Sequence, residues 1–170
     1  MNVVILNGSP HPNGHTANLV NSFKTGAINA GHNVEVLQVG TMKICGCVGC
    51  EFCHTQGNGT CAIKDDMQKV YTALNTADVI VFASAVYYWG LTGQLQSTLS
   101  RFYSIGTPKA KTFALLLTSH SPNVYDAIIS QYNDVVSYFG AKSVGIVTAF
   151  GEQRQDAKKH AEALNLGKNL

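Results

Sequence analysis

The chain has 170 residues, 45% of them hydrophobic and 13% charged, and a formal net charge of +2. This length and composition are typical of one globular domain with a sizeable core, and they exclude an intrinsically disordered chain. The small net charge, without a long basic run, argues against nucleic acid as a partner.

Five apolar runs predict β-strands, at residues 3–6, 34–39, 79–83, 112–117 and 143–147. Four of them are nearly continuous Val, Ile, Leu, Phe and Ala, as expected for strands buried on both faces of a parallel sheet, whereas 34–39 alternates as an edge strand does. The first run has no basic segment before it and is too short for the core of a signal peptide or for a membrane span. We therefore expect a cytoplasmic protein without a membrane partner.

Helical patterns separate the strands. Apolar residues recur at helical spacing at Leu19, Val20, Phe23 and Ala27; Met67, Val70, Tyr71 and Leu74; Leu91, Leu95, Leu99 and Phe102; Val124, Ala127, Ile128, Val135 and Phe139; and Ala157, Ala161 and Leu164. Strict β-α alternation predicts an α/β fold. Five strands favour a flavodoxin-like three-layer sandwich, with a five-stranded parallel sheet in the order 2-1-3-4-5. Residues 1–170 then form a single domain with a Cys-rich loop at 44–65.

The loop after the first strand, residues 8–16, is rich in glycine, hydroxyl and amide groups and leads into a helix. Free backbone N–H groups and the positive end of the helix dipole both favour an anion there. A dinucleotide fingerprint is absent, and a P-loop is excluded because five residues separate Gly8 from Gly14 and His15 replaces the lysine. The loop also lacks the nucleophilic cysteine of a phosphatase. It therefore predicts a phosphate held without catalysis, as in flavin mononucleotide, with a simple turn and helix cap as the alternative.

Three aromatic residues, Tyr87, Tyr88 and Trp89, follow the third strand. Ligands of open α/β sheets bind at the carboxyl ends of strands, and such aromatic side chains are suited to stacking on a flat ring. A dimer contact is the alternative, since Tyr and Trp are enriched in interfaces. The polar loop after the fourth strand, residues 118–122, lies at the same edge and can bond the heteroatoms of a ring.

All five cysteines lie in one loop. Four follow a C-x2-C-x2-C-x7-C pattern, and Cys45 lies two residues upstream as a spare. Disulfides rarely persist in the cytoplasm, so metal binding or redox activity is favoured. Four thiolates satisfy one [4Fe–4S] cluster, and C-x2-C-x2-C is the ferredoxin way of holding three of its corners. Structural zinc usually pairs two separated knuckles instead. The next residues, Asp65 and Asp66, most simply cap the following helix, although they can also order the cysteine loop.

At these residues the sequence resembles the flavodoxin-like NAD(P)H-dependent oxidoreductases, the NADPH-dependent FMN reductase group. The family's G-S-P-x-x-x-(G/S)-x-T phosphate loop is matched by Gly8, Ser9, Pro10 and Thr16. Residues 84–101 resemble its S-P-x-Y-(W/F)…G-x-L-K-x-x-x-D-R segment, through Ser84, Tyr87, Gln94, Leu95 and Arg101. The cysteine segment resembles its C-x-G-C-x-x-C…C-x-x-x-D-D-M pattern. Three motifs in the correct order make the resemblance specific over nearly the whole chain.

The resemblance implies an FMN site. It places the phosphate on Ser9, His11, Gly14, His15 and Thr16, and the isoalloxazine near Ala85, Val86, Tyr87, Tyr88, Trp89, Gly90, Thr118, Ser119 and His120. NAD(P)H is the implied co-substrate, and no catalytic side chain is expected because the flavin performs the hard step. A homodimer is also implied, in which the partner chain helps to close each flavin site.

Three departures from the family pattern have consequences. His11 stands where the family often has Arg, so we expect phosphate binding to be weaker and more pH-dependent, because histidine titrates near neutrality. Ala85 replaces the usual Pro, which predicts a looser loop. Gln96 and Ser100 replace Lys and Asp, which affects a surface salt bridge more than the chemistry.

The cysteine run also resembles that of the iron–sulfur flavoproteins of this family. That resemblance implies a [4Fe–4S] cluster held by Cys47, Cys50, Cys53 and Cys61. Free or redox-active thiols, a disulfide formed on oxidation and a four-Cys zinc site are the alternatives.

The leading hypothesis is an FMN-dependent NAD(P)H oxidoreductase that passes electrons to a quinone, a nitro or azo compound, or a metal complex. One alternative is an iron–sulfur flavoprotein that relays electrons between redox-protein partners through FMN and a [4Fe–4S] cluster. The other is a non-enzymatic thiol redox sensor or zinc-binding module.

Overall fold

One parallel sheet organises the computed structural model, which describes residues 1–170. Its strands are β1 (Asn2–Asn7), β2 (Asn33–Leu37), β3 (Val79–Ala85), β4 (Thr112–Ser119) and β5 (Lys142–Phe150). They are hydrogen-bonded in the order β2-β1-β3-β4-β5, so the predicted fold class and strand order are confirmed. The predicted strand 34–39 ends earlier, at Leu37, because Val39 begins a short 3-10 turn.

Six α-helices connect and cover the strands. They are α1 (His15–Asn29), α2 (Phe52–Thr55), α3 (Met67–Leu74), α4 (Gly93–Ser100), α5 (Asp126–Tyr138) and α6 (Ala157–Lys168). Short 3-10 helices cover Val39–Thr41, Arg101–Ser104 and Gly151–Gln155. None of the helices has the length and apolar character needed to cross a membrane.

Two apolar cores lie on opposite faces of the sheet, because successive strand side chains point to opposite sides. One core packs α3, α4 and α5 against Val4, Leu6, Ile80, Phe82, Phe113, Leu115 and Leu117. The other packs α1 and α6 against Val3, Ile5, Val79, Val81, Ala83, Ala114 and Leu116. Burial on both faces explains the continuous apolar runs of the central strands.

Helices α1 and α6 approach each other through glycine. A Cβ atom at Gly26 would overlap the carbonyl oxygen of Leu164, and one at Gly167 would overlap that of Phe23. The buried residues of α6 are Ala163 and Gly167. The predicted last helix is confirmed, although Ala157 and Ala161, two of the residues that indicated it, are exposed. Close backbone contact between two helices selects small residues, which apolar periodicity does not detect.

The buried face predicted for α5 is confirmed in part, since Ile128 and Phe139 are buried. Ala127 is exposed, and the buried side chains include Tyr132 and Val136. Tyr132 is accommodated because its hydroxyl donates to the Ser143 hydroxyl oxygen at 2.8 Å. A tyrosine with a satisfied hydroxyl packs as a core residue.

Candidate functional site

The loops that follow β1, β3 and β4 meet at the carboxyl edge of the sheet and enclose a cleft of about 410 Å³. This volume lies in the range of small-molecule sites. All but one of the lining residues come from the FMN site that the resemblance implies: Ser9, His11, Gly14, His15, Thr16, Ala85, Val86, Tyr87, Thr118, Ser119 and His120. The remaining lining residue is Arg154.

The start of α1 presents free backbone donors to this cleft. Its N-cap, Gly14, has no side chain to accept a hydrogen bond, and the amides of His15, Thr16 and Ala17 have no acceptor in the protein. The first turn also contains no carboxylate. Unpaired amides and the positive helix end together form an anion site.

Side chains in the first loop add further donors. The Ser9 hydroxyl oxygen accepts the His11 amide at 3.2 Å, which leaves the hydroxyl proton available to a ligand. The Nδ1 atom of His15 is buried without a hydrogen-bond partner. A buried polar atom without a partner in a cleft is expected where a ligand supplies the missing partner.

Thr92 holds the first loop against the loop after β3. Its hydroxyl donates to the Gly8 carbonyl oxygen at 2.8 Å, and its amide donates to the Ser84 hydroxyl at 2.9 Å. A Cβ atom at Gly8 would clash with Leu95. The motif residues Gly8 and Ser84 therefore set the geometry of the cleft and do not line it.

The aromatic loop after β3 is a strained two-residue turn. Tyr87 and Gly90 exchange backbone hydrogen bonds of 3.1 and 3.0 Å, while Tyr88 and Trp89 have φ values of 48° and 59°. Positive φ at both central residues is the type I′ arrangement that favours Asn and Gly, and it is costly for bulky residues. Strain of this kind is retained where the side chains serve a binding function.

The turn also walls a second cavity, of about 460 Å³, beside the first. Tyr88 and Trp89 line it and are 96% and 58% exposed. The two cavities share Val86, Ser119 and His120. Among the residues that the resemblance assigns to the cofactor, Gly90 alone lines neither cavity, because its role is to close the turn.

Arg154 was missed by the sequence reasoning. It lies in the 3-10 helix after β5, and its Nε donates to the Gly151 carbonyl oxygen at 2.6 Å. It is the only Lys or Arg that lines the cleft. The available signal was its place after the last strand, since all parallel strands end at the same edge.

The cysteine loop brings the four pattern cysteines around one small cavity of about 10 Å³. Cys47, Cys50, Cys53 and Cys61 line it, and Cys45 does not. No three side chains among the His, Cys, Asp and Glu residues converge closely enough to hold a single metal ion. The four thiols match a [4Fe–4S] cluster in number and type. The cavity has room for about one water molecule, so the loop must expand to admit a cluster.

The environment of the thiols is uneven. Cys47 and Cys50 are exposed, whereas Cys53 and Cys61 are buried. Burial raises the pKa of the Cys53 thiol, and the neighbouring Cys61 raises it further. A backbone hydrogen bond lowers this pKa but does not outweigh the burial. The Gly49 amide points at the Cys47 sulfur at 3.5 Å. Cys53 is therefore a protonated thiol at neutral pH unless a ligand displaces its proton.

Comparison with known proteins places the chain in a family. A family model described as NADPH-dependent FMN reductase matches residues 1–155. An iron–sulfur flavoprotein of Methanocaldococcus jannaschii is 27% identical and covers 100% of this chain and 95% of the relative. One of Archaeoglobus fulgidus is also 27% identical, covering 89% of this chain and 69% of the relative.

Solved structures share the fold. An NAD(P)H:quinone oxidoreductase from Methanothermobacter marburgensis superposes with a TM-score of 0.76 at 17% identity, covering 99% of this chain and 96% of the other. An azoreductase from Bacillus anthracis superposes with a TM-score of 0.76 at 15% identity over 100% of both chains. At these identities the comparison establishes architecture.

Proposed function

The chain belongs to the NADPH-dependent FMN reductase family, and on that premise we propose that residues 1–170 form a single FMN-binding domain. In this proposal NAD(P)H reduces FMN held in the cleft, and the electrons pass to a small-molecule acceptor. The observation that carries the proposal is the convergence of an uncapped helix start and an aromatic turn on one cleft of about 410 Å³.

The residues of the cleft divide into two groups in this proposal. The phosphate would be held at the start of α1, where backbone amides, hydroxyls and imidazoles can donate: Ser9, His11, Gly14, His15 and Thr16. The ring would be held where the turn after β3 faces the loop after β4: Ala85, Val86, Tyr87, Tyr88, Trp89, Gly90, Thr118, Ser119 and His120. Arg154 adds a positive charge to the first group or to the ring carbonyls. Bound FMN supplies hydride acceptance and electron release.

We propose a flat acceptor of the quinone, nitro or azo class, with metal complexes as a further class. The cavity of about 460 Å³ beside the turn is open and lined by Tyr88 and Trp89, so a planar molecule can stack there. Two structures that share the fold carry the names NAD(P)H:quinone oxidoreductase and azoreductase, which agrees with this class.

Flavin uptake and reduction test the reductase proposal. We expect the purified protein to show a flavin absorption spectrum, or to acquire it on adding FMN. Mixing with NADPH or NADH in a stopped-flow instrument then bleaches that spectrum faster than free FMN is bleached. Absence of flavin binding contradicts the whole proposal, whereas flavin that binds and is not reduced leaves only the electron-relay alternative.

A second function, an iron–sulfur flavoprotein, is favoured by a specific observation. The four pattern cysteines line one cavity and Cys45 lies outside it, so the ligand number and type match a four-thiolate cluster once the loop expands. The curated relatives are named iron–sulfur flavoproteins. We propose that Cys47, Cys50, Cys53 and Cys61 hold a [4Fe–4S] cluster, which supplies one-electron transfer.

Metal analysis of anaerobically purified protein tests the cluster. We expect iron and acid-labile sulfide in equal amounts, and no zinc. Cys50→Ser should lose most of the iron, whereas the matched control Cys45→Ser, in the same loop, should keep it. Zinc in place of iron supports the zinc-binding module. The absence of both metals supports redox-active thiols.

We propose that the protein forms a homodimer through the aromatic turn. Tyr88 is 96% exposed at the rim of the ring cavity, a position where a second chain would cover it and close the cleft. Light scattering on the native protein and on Tyr88→Ser tests this assembly. A monomer at micromolar concentration for the native chain contradicts it.

A further inference from the structure

Arg101 connects the two ends of the cysteine loop. It begins the 3-10 helix after α4, and its side chain is 1% exposed. One terminal nitrogen donates to the Cys45 carbonyl oxygen and to Asp65 Oδ2, both at 3.0 Å, and the other donates to the Ile63 carbonyl oxygen at 3.3 Å. One planar group thereby holds residues on both sides of the four pattern cysteines.

Asp65 completes this connection. Its Oδ2 atom also accepts the Cys45 amide at 2.9 Å, and its Oδ1 atom accepts the Met67 amide at 3.1 Å at the start of α3. The loop ends are thus attached to a helix by one ion pair. Asp65 was expected mainly as a helix cap, and the structure gives it this second contact.

Arg101 also faces the cysteines themselves. It lines the cavity formed by the four pattern thiols, and no other Lys or Arg does. Its Nε atom is buried and has no hydrogen-bond partner in the protein. Arginine stays protonated in proteins, so Arg101 brings a permanent positive charge and an unpaired donor to a cavity that the Glu51 carboxylate also lines. Asp65 pairs with that charge at 3.0 Å, and the unpaired donor suits a ligand rich in acceptors.

We propose that Arg101 is a positioning residue that fixes the cysteine loop at both ends and whose charge makes the sulfur-bound redox group in the cavity easier to reduce. The inference rests on the proposed cluster. Reduction would add one electron and no proton to that group, with reduced FMN as the donor, so its negative charge would grow by one. A buried positive charge beside it stabilises the reduced form.

The test uses Arg101→Gln, Arg101→Lys and Asp65→Asn in the protein purified with its cofactors, and Lys109→Gln as control. Lys109 forms an exposed ion pair with Asp78, 3.8 Å long, away from the loop. Hydrogen exchange of residues 45–63 reports the loop, and a redox titration followed by visible absorption and electron paramagnetic resonance reports the potential. We expect loop exchange at least tenfold faster in the three Arg101 and Asp65 variants and unchanged in the control.

The reduction potential distinguishes an effect of the Arg101 charge from a purely structural effect on the loop. Arg101→Gln should lower the equilibrium constant for reduction at least tenfold, which is a fall of about 59 mV for one electron. Arg101→Lys keeps the charge and should lower the potential less. Asp65→Asn removes a negative charge and should raise the potential. A shift of the same sign in Arg101→Gln and Asp65→Asn overturns the charge effect, and unchanged loop exchange overturns the attachment.

Failure of the cluster proposal is distinguishable from failure of this one. If the native protein contains no iron, the proposed cluster is wrong, and so is the proposed effect of Arg101 on its potential. Loop exchange still decides whether Arg101 holds the loop. If Arg101→Gln does not fold, Arg101→Lys and Asp65→Asn carry both measurements.

Discussion

The hydroxyl oxygen of Thr16, in the first turn of α1, lies 2.6 Å from that of Thr118, near the end of β4. The two residues are 102 positions apart in the sequence, and both are buried in the wall of the cleft. This hydrogen bond joins the loop proposed for the phosphate to the loop proposed for the ring. It therefore fixes the distance between the two ends of the proposed FMN site.

Replacing Thr16 should weaken FMN binding. Thr16→Ala removes a hydroxyl donor and leaves Thr118 without its partner, so we expect the Kd for FMN to rise about tenfold, or about 1.4 kcal/mol. Titration of flavin fluorescence measures it. Thr25→Ala, on the exposed side of the same helix, removes a hydroxyl that bonds only the Asn21 carbonyl oxygen and should leave the Kd unchanged. Equal affinities in both variants would exclude Thr16 from the site.

Replacing Arg154 should weaken FMN binding through charge. Arg154→Gln removes the only Lys or Arg in the cleft lining, and we expect a Kd about tenfold higher at low salt. The affinity of the variant should also depend less on salt than that of the native protein. Arg154→Lys should be intermediate, and Lys158→Gln, at an exposed position on α6, serves as control. Equal salt dependence in Arg154→Gln and native protein would show that Arg154 does not face the anion.

Relieving the strained turn should stabilise the protein at the expense of activity. Tyr88→Asn places a residue that tolerates positive φ where φ is 48°, so we expect a gain of about 1 kcal/mol and a rise in Tm of about 2–4 °C. Reduction of a quinone should slow, since the aromatic wall is lost. Tyr138→Asn, at an exposed helical position, should give no gain in Tm. Compared in the same oligomeric state by light scattering, a Tyr88→Asn protein no more stable than native would mean that the turn is unstrained.

Ionisation of Tyr132 should reduce stability at high pH. Burial raises its pKa to about 12, against a small lowering by the hydrogen bond to Ser143. An unfolded tyrosine ionises near pH 10, so the contribution of folded Tyr132 to stability is complete below about pH 10. It is lost as pH rises towards 12, and the loss reaches about 3 kcal/mol.

Urea unfolding of native protein and Tyr132→Phe between pH 8 and 12 measures that contribution. The difference in the free energy of unfolding should change only above about pH 10, in the sense that native protein loses more. Tyr138→Phe, at an exposed tyrosine, should show no such difference. A constant difference across the range contradicts the raised pKa.

Enlarging Gly26 should separate α1 from α6. Gly26→Ala forces a methyl group onto the Leu164 carbonyl oxygen, and overpacking of this kind costs about 1–3 kcal/mol. Gly93→Ala is the matched control, because a Cβ atom there meets nothing within 4 Å and alanine favours a helix by up to about 1 kcal/mol. Chemical unfolding of the two variants should therefore give shifts of opposite sign.

The cleft was predictable because it depends on topology. Parallel strands end at one edge, so the loops after β1, β3 and β4 had to meet once the strand order was known. The chemical types in those loops then indicated an anion at one end and a flat ring at the other. No distance between Thr16 and Thr118 was needed to expect both in one site.

The remaining features depend on contacts between distant segments. Arg154 lies in no recognisable motif, and its position follows only from the fold of the segment after β5. The positive φ of Tyr88 contradicts the usual preference of tyrosine, so sequence propensity predicted no strain there. The attachment of the cysteine loop by Arg101 required knowing that α4 ends beside it.

Apart from Ile44 at its start, which packs against one core, the cysteine loop contributes no side chain to either apolar core. Residues 45–64 are absent from both cores, although Cys53 and Cys61 are buried. Sequence changes between Cys45 and Lys64 that keep the backbone partners of Arg101 would thus leave both apolar cores unchanged. The cleft and the cysteine loop are thus separable parts of one chain, because the loop can change its sequence without repacking either core.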